Sequence, residues 1–426
     1  MAGTTMAGTT AGLADESALE PDVPLWRNWR YQSLAAGSFS AYTGVSIADV
    51  VYPLLILGFT GSPMLASVFG LLQFLAMILC SLPAGSFIDR HDRRKILIVN
   101  DSVRAVAGAS LALTLASGHV WLVQLYLVAV VLGGCQAFAG ARMIAVRAVV
   151  PERQLTRALS QQQVRTAVAT LIGPAIGAAL YAVSRSLPFV ASAVGLALSA
   201  FTAVLARFDG RPEPQPEPAG AADERSGDGA LAGLRTLWAQ PLMRAAMLLI
   251  MIVNLIAVPM DLVLIVQARH EGVPTHYIGL VLAAFAGGAV LGGPLIPLLH
   301  RLVRPGWLLI GFVSLFTCVL PLLAIPLGGF WMAGCIAVVG MALPALDVLI
   351  QVLIFQQVPD NQRGRVVSAA MMLMSLGMPL GSALGGLLLQ VFTPTTALLA
   401  FAVVTGASAL YALSQRSLRS AAWPQP

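Results

Sequence analysis

Two acidic residues, Asp49 and Asp347, interrupt long apolar stretches of the sequence, where a carboxyl group is suited to proton or ion chemistry. A charged side chain in the middle of a membrane helix costs about 2.5–3.5 kcal/mol on insertion scales, and such residues commonly serve proton or ion pathways. Tyr42 precedes Asp49 by seven residues and Gln351 follows Asp347 by four, so each pair shares one helix face. These side chains predict a cavity for a proton or a polar substrate. Acids with a purely structural role are the alternative.

Further polar residues lie in other apolar stretches. Gln136 and Asn254 are neutral and add hydrogen-bonding groups to two more of these stretches. Asp101 and Arg104 are three residues apart on one helix, where opposite charges lower the cost of burying each other. We interpret these two residues as a structural or gating pair. Asp261 lies nearer the end of its apolar stretch, and its role stays open between function and structure.

A short charged segment separates two of the apolar stretches. It contains Gly85, Asp89, Arg90, Arg93 and Arg94. At the boundary of a low-dielectric layer, a carboxylate attracts guanidinium groups strongly, and a glycine lets helices approach closely. The segment therefore predicts paired charges at the membrane rim. A charge cluster that only fixes the topology is the alternative.

Motifs of enzymes and cofactor-binding proteins are missing from the sequence. It has no phosphate-binding loop of the Gly-x-x-x-x-Gly-Lys-Ser/Thr type, so direct use of ATP is not predicted. All four cysteines lie in apolar stretches, which is typical of packing rather than of disulfides or metal sites. The five histidines lie at loops or helix ends. We therefore predict no enzyme activity, no cofactor and no bound metal.

The elements that position these side chains are membrane-spanning helices. Hydrophobic residues make up 58% of the chain and charged residues only 10%, which excludes an ordinary soluble protein. A stretch of about 20 apolar residues crosses the hydrocarbon core as one helix. The sequence predicts an all-α, multi-pass membrane protein with twelve such spans. Numbered 1 to 12, they are residues 32–58, 64–88, 96–117, 120–141, 160–183, 187–206, 242–266, 276–299, 307–325, 329–355, 367–391 and 395–414.

The distribution of cations predicts the orientation. Of 25 Lys and Arg residues, 21 belong to the N-terminal segment, the connections after even-numbered spans or the C-terminal tail. Only Arg185 and Arg269 belong to the other side. The positive-inside rule then predicts that both termini are cytoplasmic. This charge is divided among short loops without aromatic platforms, so it does not indicate a nucleic-acid partner.

Polar and proline-rich composition predicts the boundaries of the domains. The N-terminal segment repeats Met-Ala-Gly-Thr-Thr, lacks the features of a signal peptide and predicts a disordered tail, with Met6 as an alternative start. A proline-rich polar interval between spans 6 and 7 predicts a solvated linker. The predicted order is cytoplasmic tail, six-helix bundle, cytoplasmic linker, six-helix bundle and cytoplasmic tail, at residues 1–25, 26–206, 207–233, 234–415 and 416–426.

The two halves of the sequence resemble each other at a shift of 208 residues. At this shift, Gly173 and Gly177 of span 5 match Gly381 and Gly385 of span 11. A second region, which contains Gly85, matches at the same shift. Agreement at one register in separate regions indicates duplicated bundles, the sequence sign of a transporter built from repeats.

Several motifs together resemble the major facilitator superfamily of transporters. Residues 85–95 resemble the loop between helices 2 and 3 of that superfamily. Residues 358–365 and 379–386 look like the segment before and within helix 11 of bacterial exporters related to the enterobactin and macrolide efflux proteins. Residues 60–63 and 150–152 favour the same subgroup.

This resemblance implies a role for several residues. In the superfamily, helices 1, 4, 7 and 10 line a central cavity, and the loop between helices 2 and 3 holds the two halves in the outward-facing state as a gating contact. By this resemblance, the residues of the cavity include Asp49, Gln136, Asn254 and Asp347. Gly173, Pro174 and Gly177 resemble a motif of drug and proton antiporters, with ordinary small-residue packing as the alternative. Members of the subgroup often place an acid directly after a glycine of helix 1. Here the acid is Asp49, five residues after Gly44, so its role is not transferred directly.

We interpret the chain as a secondary transporter that exports a small organic molecule across the bacterial cytoplasmic membrane in exchange for protons. An antibiotic-like compound, a secondary metabolite or a siderophore is the expected substrate. The expected partners are this substrate, protons and the lipid bilayer, and the expected state is a monomer. An importer or facilitator of a small metabolite, and a receptor or scaffold on the same fold, are the alternatives.

Overall fold

The computed structural model describes residues 24–208, 210, 235, 238–357 and 363–420. Within these ranges the side chains of residues 82, 86, 89, 152, 347, 348, 350–357, 363–369 and 371 are not described. Most of the predicted N-terminal tail, most of the predicted linker and the last six residues lie outside the described part of the chain.

Twelve helices are long and apolar enough to cross a membrane, and each lies where the sequence predicts a span. The described residues contain no strand. The all-α prediction is therefore confirmed. The helices of spans 1 to 12 are Trp29–Thr60, Pro63–Arg90, Arg93–Ala116, Leu122–Gln136 with Gly140–Arg147, Glu152–Val183, Leu187–Ala206, Pro241–His270, Thr275–Gly292 with Ile296–Leu302, Pro305–Leu323, Gly329–Gln357, Arg363–Val391 and Pro394–Ser414. A single short helix, Arg416–Arg419, follows span 12.

Very short connections make consecutive helices antiparallel. Span 1 ends at Gly61, whose φ of 65° lies in the left-handed region that glycine adopts without strain. The Ser62 side chain then accepts a hydrogen bond from the Leu65 N–H at the start of span 2. At the next connection, the Asp92 carboxylate accepts a hydrogen bond from the Arg94 N–H and caps span 3. Each connection thus ends one helix and begins the next within two residues.

Glycines let the helices of each half pack closely, and the packing repeats between the halves. A Cβ atom added at Gly173 or Gly177 in span 5 would contact the backbone of Ile47 in span 1. A Cβ atom added at Gly381 in span 11 would likewise contact the backbone of Leu255 in span 7. Ile47 and Leu255 are separated by the same 208 residues as Gly173 and Gly381. The sequence repeat therefore corresponds to a repeated helix contact.

Buried aromatic rings join spans 1, 2 and 6. The Tyr52 ring stacks on Phe69 with centroids 4.4 Å apart and lies 5.2 Å from the Phe189 ring. Tyr52 and Phe189 are fully buried. Such ring contacts add specific geometry to the apolar packing of the N-terminal half.

The two six-helix halves meet mainly along two helix pairs, span 2 with span 11 and span 5 with span 8. In the first pair, Ser382 Oγ donates a 2.7 Å hydrogen bond to the Ser67 carbonyl oxygen, and Gly386 lies against Ser67. In the second pair, Gly279 lies against the Pro174 carbonyl group. Small residues again allow the close approach.

The contacts between the halves lie toward one face of the bundle. We term the face that carries the connection between spans 2 and 3 the basic face, and the face that carries the connection between spans 1 and 2 the opposite face. Near the opposite face, Ser62 Oγ donates a 2.7 Å hydrogen bond to Gln390 Oε1. Arg269 Nη2 of span 7 donates a 3.3 Å hydrogen bond to the Leu54 carbonyl oxygen of span 1. Hydrogen bonds thus join the halves on this side of the molecule.

Candidate transport site

Asp49 and Asp261 line one cavity of about 200 Å³ between the two halves. Asp49 lies eleven residues before the end of span 1, and Asp261 lies nine residues before the end of span 7. At 1.5 Å per residue, both lie roughly 13–17 Å below the opposite face. Both side chains are exposed. Because they lie deep in the bundle, their exposed surface faces this cavity.

The remaining wall of this cavity is partly polar and partly apolar. Gln73 of span 2 and Gln136 of span 4 contribute amide groups, and Ser67 and Ser382 contribute hydroxyl groups from the two halves. Phe69, Phe74, Pro53 and Pro259 are among the apolar residues of the wall. Two carboxylates among amides and rings can bind a proton or an organic cation.

Arg104 influences the charge balance around Asp49. The charges of Arg104 and Asp261 both act on the Asp49 carboxylate, the first attracting and the second repelling it. Arg104 Nε is buried and has no hydrogen-bond partner among the described residues. Within that part of the chain, the carboxylate of Asp49 has no ion pair at contact distance. Two ionised carboxylates in one cavity repel each other, and a proton or a cation between them removes that repulsion.

Asp101 pairs with Arg142 and not with Arg104, so the partner expected from the sequence is wrong. Arg142 Nη2 lies 2.7 Å from Asp101 Oδ2, and Ser199 Oγ donates a 2.6 Å hydrogen bond to the same oxygen. Arg142 Nη1 also donates to Ser38 Oγ at 3.3 Å. Helix packing brings Arg142 of span 4 to the fully buried carboxylate, whereas no ion pair joins Asp101 to Arg104 in the described part of the chain. This network joins spans 1, 3, 4 and 6.

A second cavity, of about 450 Å³, lies nearer the basic face in the N-terminal half. Its wall contains Tyr42 and Arg142, with the guanidinium carbon 5.9 Å from the centre of the Tyr42 ring. Both polar atoms of the Gln162 amide are buried without a hydrogen-bond partner among the described residues. Tyr42 and Asp49 thus share a helix but line different cavities.

The structure places the remaining expected cavity residues as follows. Asn254 Nδ2 donates a 3.0 Å hydrogen bond to the Met374 carbonyl oxygen of span 11. Asn254 and Asp261 line a third cavity, of about 270 Å³, within the C-terminal half. The helix of span 10 continues through Asp347 and Gln351, whose side chains lie outside the described part of the structure.

Within the predicted gating segment, Arg94 contacts the end of span 6. Arg94 donates hydrogen bonds of 3.2 and 2.7 Å to the Ala203 and Val204 carbonyl oxygens, where span 6 ends. A cation at this position satisfies carbonyl groups that the helix leaves unpaired. Arg93 Nε is buried and has no hydrogen-bond partner among the described residues.

The close helix approach expected at Gly85 is absent from this conformation. A Cβ atom added there would meet no heavy atom within 4 Å. Arg90 is exposed at the end of span 2, and the side chain of Asp89 is not described. A glycine on a helix surface that faces open space permits contact without requiring it.

The predicted antiporter motif lies between span 1 of its own half and span 8 of the other half. Gly173 and Gly177 face span 1, while Gly279 of span 8 lies against Pro174 and Ala178. Pro174 also removes one backbone hydrogen bond from span 5. The motif is thus part of the contact between the halves as well as of the packing within one half.

Comparison with known proteins places this arrangement in a family. The family model of the Major Facilitator Superfamily matches residues 34–327 and 262–422. The chain belongs to this superfamily.

Two groups of curated relatives of this major facilitator protein are bacterial. Macrolide efflux protein A of Streptococcus pyogenes is 27% identical over 375 residues, which are 85% of this chain and 90% of the relative. The multidrug efflux pump Tap of Mycobacterium tuberculosis is 27% identical over 394 residues, 89% of this chain and 91% of the pump.

Solved structures share the fold. The nucleoside transporter NupG superposes with a TM-score of 0.69 at 13% identity and covers 91% of this chain and 98% of its own. A bacterial homolog of the human lysosomal transporter Spinster, in an inward-facing and unoccupied conformation, superposes with a TM-score of 0.68 at 17% identity and covers 95% and 100%. The twelve membrane-length helices and the bacterial curated relatives make the superfamily member described here a multi-pass bacterial membrane protein.

In this major facilitator protein, Asp261 and Arg142 line cavities that the sequence did not predict for them. Asp261 lies deeper than expected because span 7 continues to His270, four residues past its predicted end at 266. Arg142 lies in a helix that restarts at Gly140, where the sequence predicts the end of span 4. The sequence signals for Arg142 are its position directly after an apolar span and the resemblance of Ala141-Arg142 to the efflux subgroup.

Proposed function

We propose that this protein exports a small organic molecule across the bacterial cytoplasmic membrane in exchange for protons. The observation that carries the proposal is the cavity that Asp49 and Asp261 line from opposite halves. The names of the curated relatives, a macrolide efflux protein and a multidrug efflux pump, support export.

The two carboxylates offer a means of coupling. When the halves close at the opposite face, Asp49 and Asp261 are brought into one cavity, where two negative charges repel each other. A proton on one carboxylate removes this cost and favours closure. Opening toward the opposite face would separate the two carboxylates and expose them to the proton concentration on that side. Movement of the halves and occupancy by protons are then linked.

The contacts between the halves support alternating access. With the predicted topology, the opposite face is external, so hydrogen bonds such as that of Arg269 to Leu54 close the outer side. This conformation is then inward-facing. In the outward-facing state we expect Asp89 and its neighbouring arginines to hold the basic face closed, and the small residues around Pro174 to let span 5 move against span 8.

The walls of the cavities indicate the kind of substrate. Amides, hydroxyl groups and carboxylates lie among aromatic and aliphatic side chains, as in many sites for small organic ligands. An amphiphilic, antibiotic-like compound fits this mixture best, and a secondary metabolite or a siderophore is also compatible with it. We expect the protein to act as a monomer, with both termini in the cytoplasm.

Accumulation in cells tests the proposal. Cells that lack their major efflux systems would express the wild type or the double variant Asp49→Asn, Asp261→Asn, and would be given a panel of labelled compounds that includes a macrolide. We expect lower accumulation of at least one compound with the wild type than with the equally expressed variant. Higher accumulation with the wild type would indicate import, and equal accumulation across the panel would contradict a transport role.

A further inference from the structure

A groove of about 660 Å³ opens between spans 2, 3 and 4 near the basic face. It shares no lining residue with the cavities around Asp49 and Arg142. Three of the side chains that line it are well exposed: Phe87 at 45%, Val99 at 60% and Val103 at 42%. On a membrane-spanning bundle, such apolar exposure means contact with lipid chains. The groove is therefore open to the bilayer and separate from the cavity between the halves.

The two ends of the groove differ in chemistry. Arg90, His91 and Lys95 line its mouth at the basic face, and all three are exposed. Farther into the membrane its wall is mostly apolar and includes Val103 and Val131. A ligand that fills the groove must therefore carry a negative group at one end and an apolar chain along the rest.

Aromatic contacts shape the groove mouth. The Phe87 ring stacks on the His91 ring with centroids 3.9 Å apart and meets the Phe138 ring edge-on at 5.8 Å. His91 Nδ1 lies 2.9 Å from the Phe87 carbonyl oxygen, which can accept a hydrogen bond from it. These contacts join span 2 to span 4 and hold the imidazole at the boundary between the polar mouth and the apolar wall.

Neighbouring charges leave a net positive mouth. The Asp92 carboxylate caps span 3 through the Arg94 N–H, and the Arg94 guanidinium group is bonded to span 6 carbonyl oxygens. Arg90 and Lys95 make no described ion pair. From residue 89 to residue 95 the sequence has two acids against four arginine and lysine residues. The mouth therefore attracts an anion.

We propose that this groove binds one anionic phospholipid, with its phosphate between Arg90 and Lys95 and one acyl chain along Val99 and Val103. Basic pockets between membrane helices bind anionic head groups, and each cation near the surface contributes about 1 kcal/mol of attraction. The acyl chain fills an apolar wall that water would otherwise contact. The bilayer supplies this ligand continuously, and the predicted topology puts the mouth at the cytoplasmic leaflet.

The binding test uses delipidated, full-length protein in detergent, with native mass spectrometry to count bound lipid and thermal unfolding to follow stabilisation. The probes are phosphatidylglycerol, phosphatidylcholine and soluble glycerol phosphate. The first variant carries both Arg90→Gln and Lys95→Gln. Its control is Arg301→Gln, which removes an exposed cation of the equivalent region in the other half. The second variant is Val103→Trp, which fills the groove. Its control is Val106→Trp, at a position 68% exposed but outside the groove wall.

We expect the wild type to bind one phosphatidylglycerol at least tenfold more tightly than phosphatidylcholine. The double glutamine variant should weaken this binding by about thirtyfold, as the loss of two surface cations implies. Val103→Trp should weaken the binding of both lipids, while the two control variants should bind them like the wild type. Equal binding of the two lipids by the wild type, a measurement that needs no variant, would overturn the proposal. So would equal loss with Arg301→Gln, or binding of glycerol phosphate as tight as that of the lipid.

Discussion

Asp49 of span 1 and Asp261 of span 7 face the same cavity from opposite halves of the molecule. Within the described part of the chain, neither carboxylate makes an ion pair at contact distance. Two negative charges deep in the membrane-spanning bundle without such a partner are costly, and a bound proton or cation lowers that cost. In the proposed mechanism, the relative position of the halves and the occupancy of this cavity therefore depend on each other.

The ion pair of Asp101 and Arg142 predicts a non-additive effect on stability. Asp101→Leu or Arg142→Met alone leaves one buried charge without its partner and should cost about 3–5 kcal/mol. The double variant removes both charges and should be more stable than either single variant. Unfolding of the purified protein in detergent measures these differences as a double-mutant cycle. Additive losses would show that the two side chains do not act as a pair.

Close glycine contacts predict a stability effect in each half. A methyl group at Gly177 or Gly381 would press on the Ile47 or Leu255 carbonyl oxygen, so Gly177→Ala and Gly381→Ala should each destabilise the protein by about 1–3 kcal/mol. Gly334→Ala is the control, because a Cβ atom there meets nothing within 4 Å. This control should be neutral or slightly stabilising, since alanine favours a helix. Equal unfolding temperatures of all three variants would mean that the packing is looser than described.

The fold is predictable from the sequence to a large extent. A run of about 20 apolar residues has few stable conformations in a bilayer other than a helix. The spans are therefore easy to predict, and all twelve are confirmed. The repeat of Gly173 and Gly381 also indicates which helices pack, because a small residue at a repeated register marks a repeated contact. Helix ends are less predictable, since one more polar turn can extend a helix beyond its apolar part. Span 7 is an example: it ends at His270 and contains Arg269.

The candidate site is less predictable because its partners come from different helices. Asp101 has an arginine three residues away in sequence, yet tertiary packing supplies Arg142 from span 4. Asp261 gains its position from the depth of span 7 and from the contact between the halves, and neither is encoded by local spacing. Gly85 shows the converse, since its sequence context predicts a close approach that this conformation does not contain.

The cation distribution predicts that residue 226 faces the cytoplasm. In a background without the four native cysteines, Ser226→Cys should resist an impermeant external thiol reagent in intact cells and react after the membrane is opened. His119→Cys, in the connection between spans 3 and 4, is the matched control and should react in intact cells. The reverse labelling of these two positions would overturn the orientation.

Asp89 is predicted to favour closure of the basic face. Asp89→Asn should therefore impair turnover by about tenfold, if the carboxylate contributes roughly one charged hydrogen bond, while leaving expression and substrate binding largely intact. Transport rates in liposomes and binding in detergent separate the two effects. Wild-type turnover by a well-expressed Asp89→Asn protein would favour a cluster that only fixes the topology.

Proton coupling is the central claim, and transport in liposomes under an imposed pH gradient tests it most directly. Asp49→Asn and Asp261→Asn should each abolish gradient-driven efflux while sparing exchange of substrate down its own gradient, and a protonophore should stop efflux by the wild type. Asp347→Asn belongs in the same series as the third candidate carrier. Undiminished gradient-driven efflux in all three single variants and in the triple variant would contradict coupling through these acids.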